Sequence, residues 1–112
     1  MRRFTLSAFL LLAALSLSGC GQEQAPESSF VLLDGAKISS SEFKGKVTLV
    51  NFWATSCTTC VAEMPEIVAT YQQYKDKGYD TLAVAMSYDP PAYVVNFAES
   101  RKLPFKLSLI HI

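Results

Sequence analysis

The sequence has few of the residues from which metal and nucleic-acid sites are built. It contains one histidine, His111, and three cysteines among 112 residues. A structural zinc site takes four ligands, and Cys57 and Cys60 have no second cysteine pair to complete one, so we expect no metal and no other cofactor. The ten basic and ten acidic residues balance, and no basic patch is present. This argues against nucleic acid as a partner.

A long uninterrupted apolar stretch is also missing. The apolar run at residues 4–17 contains three hydroxyl residues and is shorter than the roughly 20 residues of a bilayer-spanning helix. Because Arg2 and Arg3 precede it and small residues follow, the pattern predicts a secretory signal peptide over residues 1–19. An uncleaved N-terminal anchor is the alternative. Both interpretations predict export from the cytoplasm.

The first cysteine follows this segment in the motif L-S-G-C, which resembles the lipobox of bacterial lipoproteins. The resemblance implies that Cys20 carries lipid and holds the protein at a membrane; an unmodified or disulfide-bonded cysteine is the alternative. Residues 21–29 are polar and include one proline, which predicts a flexible tether. Residues 30–112 have room for one domain and not for two.

The strongest pattern surrounds the other two cysteines, in V-N-F-W-A-T-S-C-T-T-C-V-A-E-M-P at residues 50–65. Residues 47–53 are almost continuously apolar, which predicts a central strand buried on both faces. Apolar residues then recur every three or four positions, which predicts an amphipathic helix that ends before Gly78 and bends at Pro65. Residues 81–86 form a second apolar run. Together these segments predict a right-handed parallel β-α-β unit.

Weaker signals predict the remaining elements. An apolar run at residues 30–33 and the turn pair Asp34-Gly35 indicate a β-hairpin. Asp89 precedes two prolines and is expected to cap a second helix. The segment 103–112 begins another apolar strand.

The cysteine spacing indicates redox chemistry. Cys57 lies at the predicted first turn of a helix, where unpaired N–H groups and the helix dipole stabilise a thiolate. Cys60 follows one helical turn later, close enough to form a disulfide with Cys57. We therefore expect Cys57 to attack a substrate and Cys60 to resolve the intermediate. An oxidising compartment outside the cytoplasm lets such a disulfide persist.

The block at residues 45–65 resembles the thioredoxin-fold proteins of the TlpA/ResA type, which are membrane-tethered thiol-disulfide oxidoreductases of bacterial envelopes. The resemblance implies a three-layer α/β/α fold of the α/β class that here lacks its C-terminal strands and helix. It implies the roles given above for Cys57 and Cys60, a partly buried proton-relaying carboxylate at Glu63, and a tryptophan under the active-site loop at Trp53. A solvent-exposed helix residue is the alternative for Glu63. The supporting positions are Thr55, Ser56, Thr58, Thr59 and Pro65.

Two positions depart from the pattern of such relatives. Ser56 replaces a tryptophan found in many of them, and Asn51 replaces the buried aspartate of ordinary thioredoxin. The second difference shifts the expected proton transfer to Glu63.

The resemblance predicts a disulfide reductase of envelope proteins, for example in cytochrome c maturation, re-reduced by a membrane thiol donor of the DsbD/CcdA type. One alternative is an inactive truncated lipoprotein fragment, because the sequence stops before the family's cis-proline loop, its last two strands and its last helix. Another is a peroxiredoxin-type peroxidase. In that group a threonine stands three residues before the cysteine, whereas Thr55 stands two before Cys57.

Overall fold

The computed structural model describes Gly19 and residues 21–109. The predictions that concern residues 1–18, Cys20 and 110–112, including the signal peptide and lipidation, lie outside this part of the chain. The described residues form, in chain order, β1 (Ser29–Leu32), β2 (Lys37–Ser39), a 3-10 helix (Ser40–Phe43), β3 (Val47–Trp53), α1 (Thr58–Tyr74), a 3-10 helix (Lys75–Lys77), β4 (Tyr79–Ala85), α2 (Pro91–Arg101) and β5 (Lys106–Leu109).

The strands form one mixed sheet in the order β2-β1-β5-β4-β3. β3 pairs with β4 in parallel, and β4 pairs with β5 in parallel. β1 is antiparallel to both β5 and β2. The predicted β-α-β unit is therefore present as β3, α1 and β4, and α2 connects β4 to β5 in the same way.

Both α-helices pack on the same face of the sheet. Met64 of α1 and Val94 and Ala98 of α2 join one core cluster with Trp53, Ala83, Ala85 and Leu107 of the strands. On the opposite face, Thr48 and Val50 line an open cavity of about 820 Å³ with residues of the first 3-10 helix and of the segment 24–27. In the described residues the sheet thus carries one helical layer.

The small N-terminal elements follow their sequence signals. Gly35 has φ 85° in the turn between β1 and β2, a conformation that glycine adopts without strain. Ser39 caps the 3-10 helix in a capping box with Glu42, which satisfies two backbone N–H groups. The predicted hairpin is present as β1 and β2.

The expectation that β3 is buried on both faces is wrong for the described part of the chain. β3 is an outer strand of the sheet, with Val47 72% and Phe52 57% exposed. The buried strand is β4, in which Leu82 and Ala83 are fully inaccessible. An apolar run shows that a strand has two apolar faces, but its position in the sheet depends on which strands pair with it.

Candidate active site

The cysteine pair lies where β3 ends and α1 begins. Cys57 is the N-cap residue of α1, and its Sγ accepts a hydrogen bond from the backbone N–H of Cys60 at 3.3 Å. The two residues are joined by a disulfide, with their Cα atoms 5.2 Å apart. The sequence prediction that one helical turn brings these sulfur atoms together is therefore met.

The two cysteines differ in their surroundings. Both are partly buried, but Cys60 packs against the core cluster beneath the helix. Cys57 lies at the helix terminus, with Sγ 3.6 Å from the hydroxyl of Thr59. Unpaired N–H groups at a helix N-terminus stabilise a thiolate in this position. This arrangement suits Cys57 for attack and Cys60 for resolution.

Trp53 is the last residue of β3 and belongs to the core cluster against which Cys60 packs. Its side chain is 1% exposed, and its ring centroid lies 5.1 Å from that of Phe97 on α2. Ala54, which follows it, is equally buried. The active-site loop therefore starts from two residues that are packed in the core.

Asp89 is also part of this site, although it stands 34 residues after Thr55 in the sequence. Its carboxylate is buried and accepts two hydrogen bonds from Thr55, one from the backbone N–H and one from the hydroxyl, each 2.6 Å long. The predicted capping of α2 by Asp89 is wrong, because the N-cap is Pro90 and no side chain of the described residues caps that helix. The carboxylate bonds to Thr55 instead.

Sequence reasoning missed Asp89 as a residue of the site, although a signal was available. Asp89 follows β4, and Thr55 follows β3. Adjacent parallel strands bring their carboxyl ends to the same edge of a sheet, so polar residues after two such strands are candidates for contact.

Five of the predicted site residues are exposed at the surface. Glu63 is exposed rather than partly buried, because its neighbour Met64 takes the inward position on α1. Asn51 is partly buried, and its Nδ2 has no hydrogen-bond partner within the described residues. The exposed supporting residues are Ser56 in the loop and Thr58, Thr59 and Pro65 on α1.

Comparison with known proteins agrees with this geometry. The family model described as Redoxin matches residues 21–109. The chain belongs to the Redoxin family. The resemblance to ResA-type proteins is also confirmed: this Redoxin protein is 36% identical over 87 residues to the thiol-disulfide oxidoreductase ResA of Bacillus thuringiensis subsp. konkukian, an alignment that covers 78% of the chain and 50% of ResA.

Two further relatives support the assignment. The thioredoxin-like protein YneN of Bacillus subtilis is 46% identical over 55 residues, which cover 49% of the chain and 32% of YneN. The crystal structure of a thiol:disulfide interchange protein from Chlorobium tepidum superposes with a TM-score of 0.77 at 26% identity, covering 84% of this Redoxin chain and 64% of the other. The predicted thioredoxin-like α/β fold is therefore confirmed.

The Redoxin chain spans about half the length of the curated ResA relatives that it matches. Within its described part, no helix combines the length and the apolar character that crossing a membrane requires.

Proposed function

We propose that this Redoxin protein is a thiol-disulfide oxidoreductase that reduces disulfides of proteins in the bacterial envelope. The observation that carries the proposal is the Cys57–Cys60 disulfide at the N-terminus of α1, with Cys57 as the N-cap and Cys60 against the core. ResA proteins, to which the chain is similar, are named thiol-disulfide oxidoreductases.

The reaction proceeds by two exchanges. The Cys57 thiolate attacks one sulfur of a substrate disulfide, so that a mixed disulfide forms and the other substrate sulfur leaves as a thiolate, which takes up a proton. Cys60, as a thiolate, then attacks Cys57 Sγ and releases the second substrate thiolate. Two electrons pass to the substrate, and the enzyme is left in its disulfide form. A membrane dithiol donor of the DsbD/CcdA type re-reduces it.

Insulin reduction with dithiothreitol as the electron source tests this proposal. We expect the wild-type chain to precipitate the insulin B chain and Cys57→Ser to abolish the activity. Cys60→Ser should instead accumulate a mixed disulfide, visible by mass spectrometry, because its resolving thiol is missing. A wild-type chain that is folded but does not reduce insulin would contradict the proposal and favour the inactive-fragment alternative.

Membrane attachment is a second part of the proposal, carried by the L-S-G-C motif and the polar tether. Lipid on Cys20 would hold the domain at the envelope membrane, with cytochrome c maturation as one process that uses such a reductase. Cys20→Ser should abolish palmitate labelling of the protein. Continued palmitate labelling of the substituted protein would contradict it.

A further inference from the structure

The buried carboxylate of Asp89 has no part in the two exchange steps themselves. Asp89 is 5% exposed, and within the described residues no basic side chain forms an ion pair with it. Burying a carboxylate is costly unless hydrogen bonds compensate it. Both bonds that do so here come from a single residue, Thr55.

Thr55 is linked to the attacking cysteine through a tight turn. The backbone N–H of Cys57 donates to the carbonyl of Ala54 at 3.1 Å, and this bond closes the turn around Thr55. A fixed Thr55 therefore fixes the direction in which the chain enters α1. That direction decides whether Cys57 Sγ lies within reach of the N–H of Cys60, which is 3.3 Å away.

We propose that Asp89 is a positioning residue for Cys57 and acts through Thr55. Its carboxylate joins the loop after β4 to the loop after β3, and so holds the attacking sulfur at the N-terminus of α1. This inference deepens the proposed thiol-disulfide function and rests on it for its biological meaning. The geometric claim about Cys57 is testable without any substrate.

Two substitutions of Asp89 separate geometry from charge. Asparagine is able to keep both contacts, since its amide oxygen accepts from the Thr55 N–H and its amide nitrogen donates to the Thr55 hydroxyl. It removes the negative charge. Alanine removes the charge and both contacts. Positioning predicts that asparagine behaves like the wild type and alanine does not, whereas a purely electrostatic role predicts that both variants change.

The readout is the rate at which iodoacetamide alkylates Cys57 in the reduced full chain at neutral pH. Peptide mass spectrometry separates Cys57 from Cys20 and Cys60. We expect Asp89→Ala to slow this alkylation about tenfold, because the thiolate loses its place at the helix terminus. The same variant should shift the dithiol-disulfide equilibrium with glutathione toward the disulfide by a similar factor. Asp89→Asn should stay within about threefold of the wild type.

Asp76→Asn is the matched control, since Asp76 is an exposed aspartate in the second 3-10 helix. It should leave both readouts unchanged. Wild-type behaviour of Asp89→Ala would overturn the inference, and so would an equal loss in Asp89→Asn and Asp89→Ala.

If circular dichroism shows that Asp89→Ala does not fold, Thr55→Val and Thr55→Ser decide the question. Valine lacks the hydroxyl and should slow alkylation, whereas serine keeps the hydroxyl and should not. Equal rates in these two variants would overturn the inference. A wild type that fails to reduce insulin, while Cys57 alkylation still depends on Asp89, would remove the proposed function and leave the positioning role intact.

Discussion

At the residue scale, Glu63 differs from the prediction in its burial, because a partly buried carboxylate was expected and the side chain is exposed. It stands three residues after Cys60 on α1, on the solvent side of the helix. We propose that it exchanges protons between water and the cysteine pair, because Asn51 provides no carboxylate for that task. An exposed carboxylate is less rigidly placed than a buried one, so its contribution should be modest.

Glu63→Gln should slow the release of a mixed disulfide about threefold to fivefold, well below the effect of about a hundredfold or more that a firmly positioned acid or base gives. Single-turnover quenching of the reduced protein with a model disulfide measures this step. Glu66→Gln provides the control, since Glu66 is also exposed on α1. Equal effects of the two substitutions would exclude a specific role for Glu63.

Residues near one another in the sequence were predictable, and the long-range contact was not. The turn from β3 into α1 brings Cys57 and Cys60 together through local helix geometry alone, which the spacing encodes. The bond between Thr55 and Asp89 depends on the parallel pairing of β3 with β4, which no local pattern specifies. The same reason explains why Asp89 was wrongly expected to cap α2.

At the scale of the elements, β3 presents an unpaired side in the described structure. Its Val47 N–H and Trp53 carbonyl bond toward β4. By alternation, the backbone groups of Thr48, Val50 and Phe52 point away from β4. Such a row of unpaired groups beside apolar side chains promotes association with other strands. The apolar pattern of β3 predicted a strand correctly, but it did not reveal that its outer side has no partner among the described residues.

Phe52→Lys should therefore reduce aggregation of the 112-residue chain, because a lysine on an outer strand opposes pairing with another strand. Phe52 is 57% exposed, so the free energy of unfolding should change by less than about 1 kcal/mol. Light scattering at rising protein concentration measures the first effect, and urea denaturation the second.

Tyr93→Lys is the control. Tyr93 is an aromatic residue that is also exposed, at 62%, but it lies on the helix α2 and not on a strand. This substitution should leave the aggregation unchanged. A similar decrease in aggregation for both lysine variants would show that general surface hydrophobicity, and not the outer strand, drives association.

At the scale of the whole molecule, stability should depend on β4 more than on the strand that carries the active-site motif. Leu82 of β4 is fully buried, whereas Leu49 of the neighbouring strand β3 is 37% exposed. Leu82→Ala should lower the free energy of unfolding by about 2–5 kcal/mol, since it removes buried methyl groups and leaves a cavity. Leu49→Ala should cost about 1 kcal/mol, because part of its side chain already faces water. Urea denaturation of the oxidised protein gives both values. A larger loss at Leu49 would mean that β3 is covered in solution and that the central strand is β3, as its continuous apolar sequence predicts.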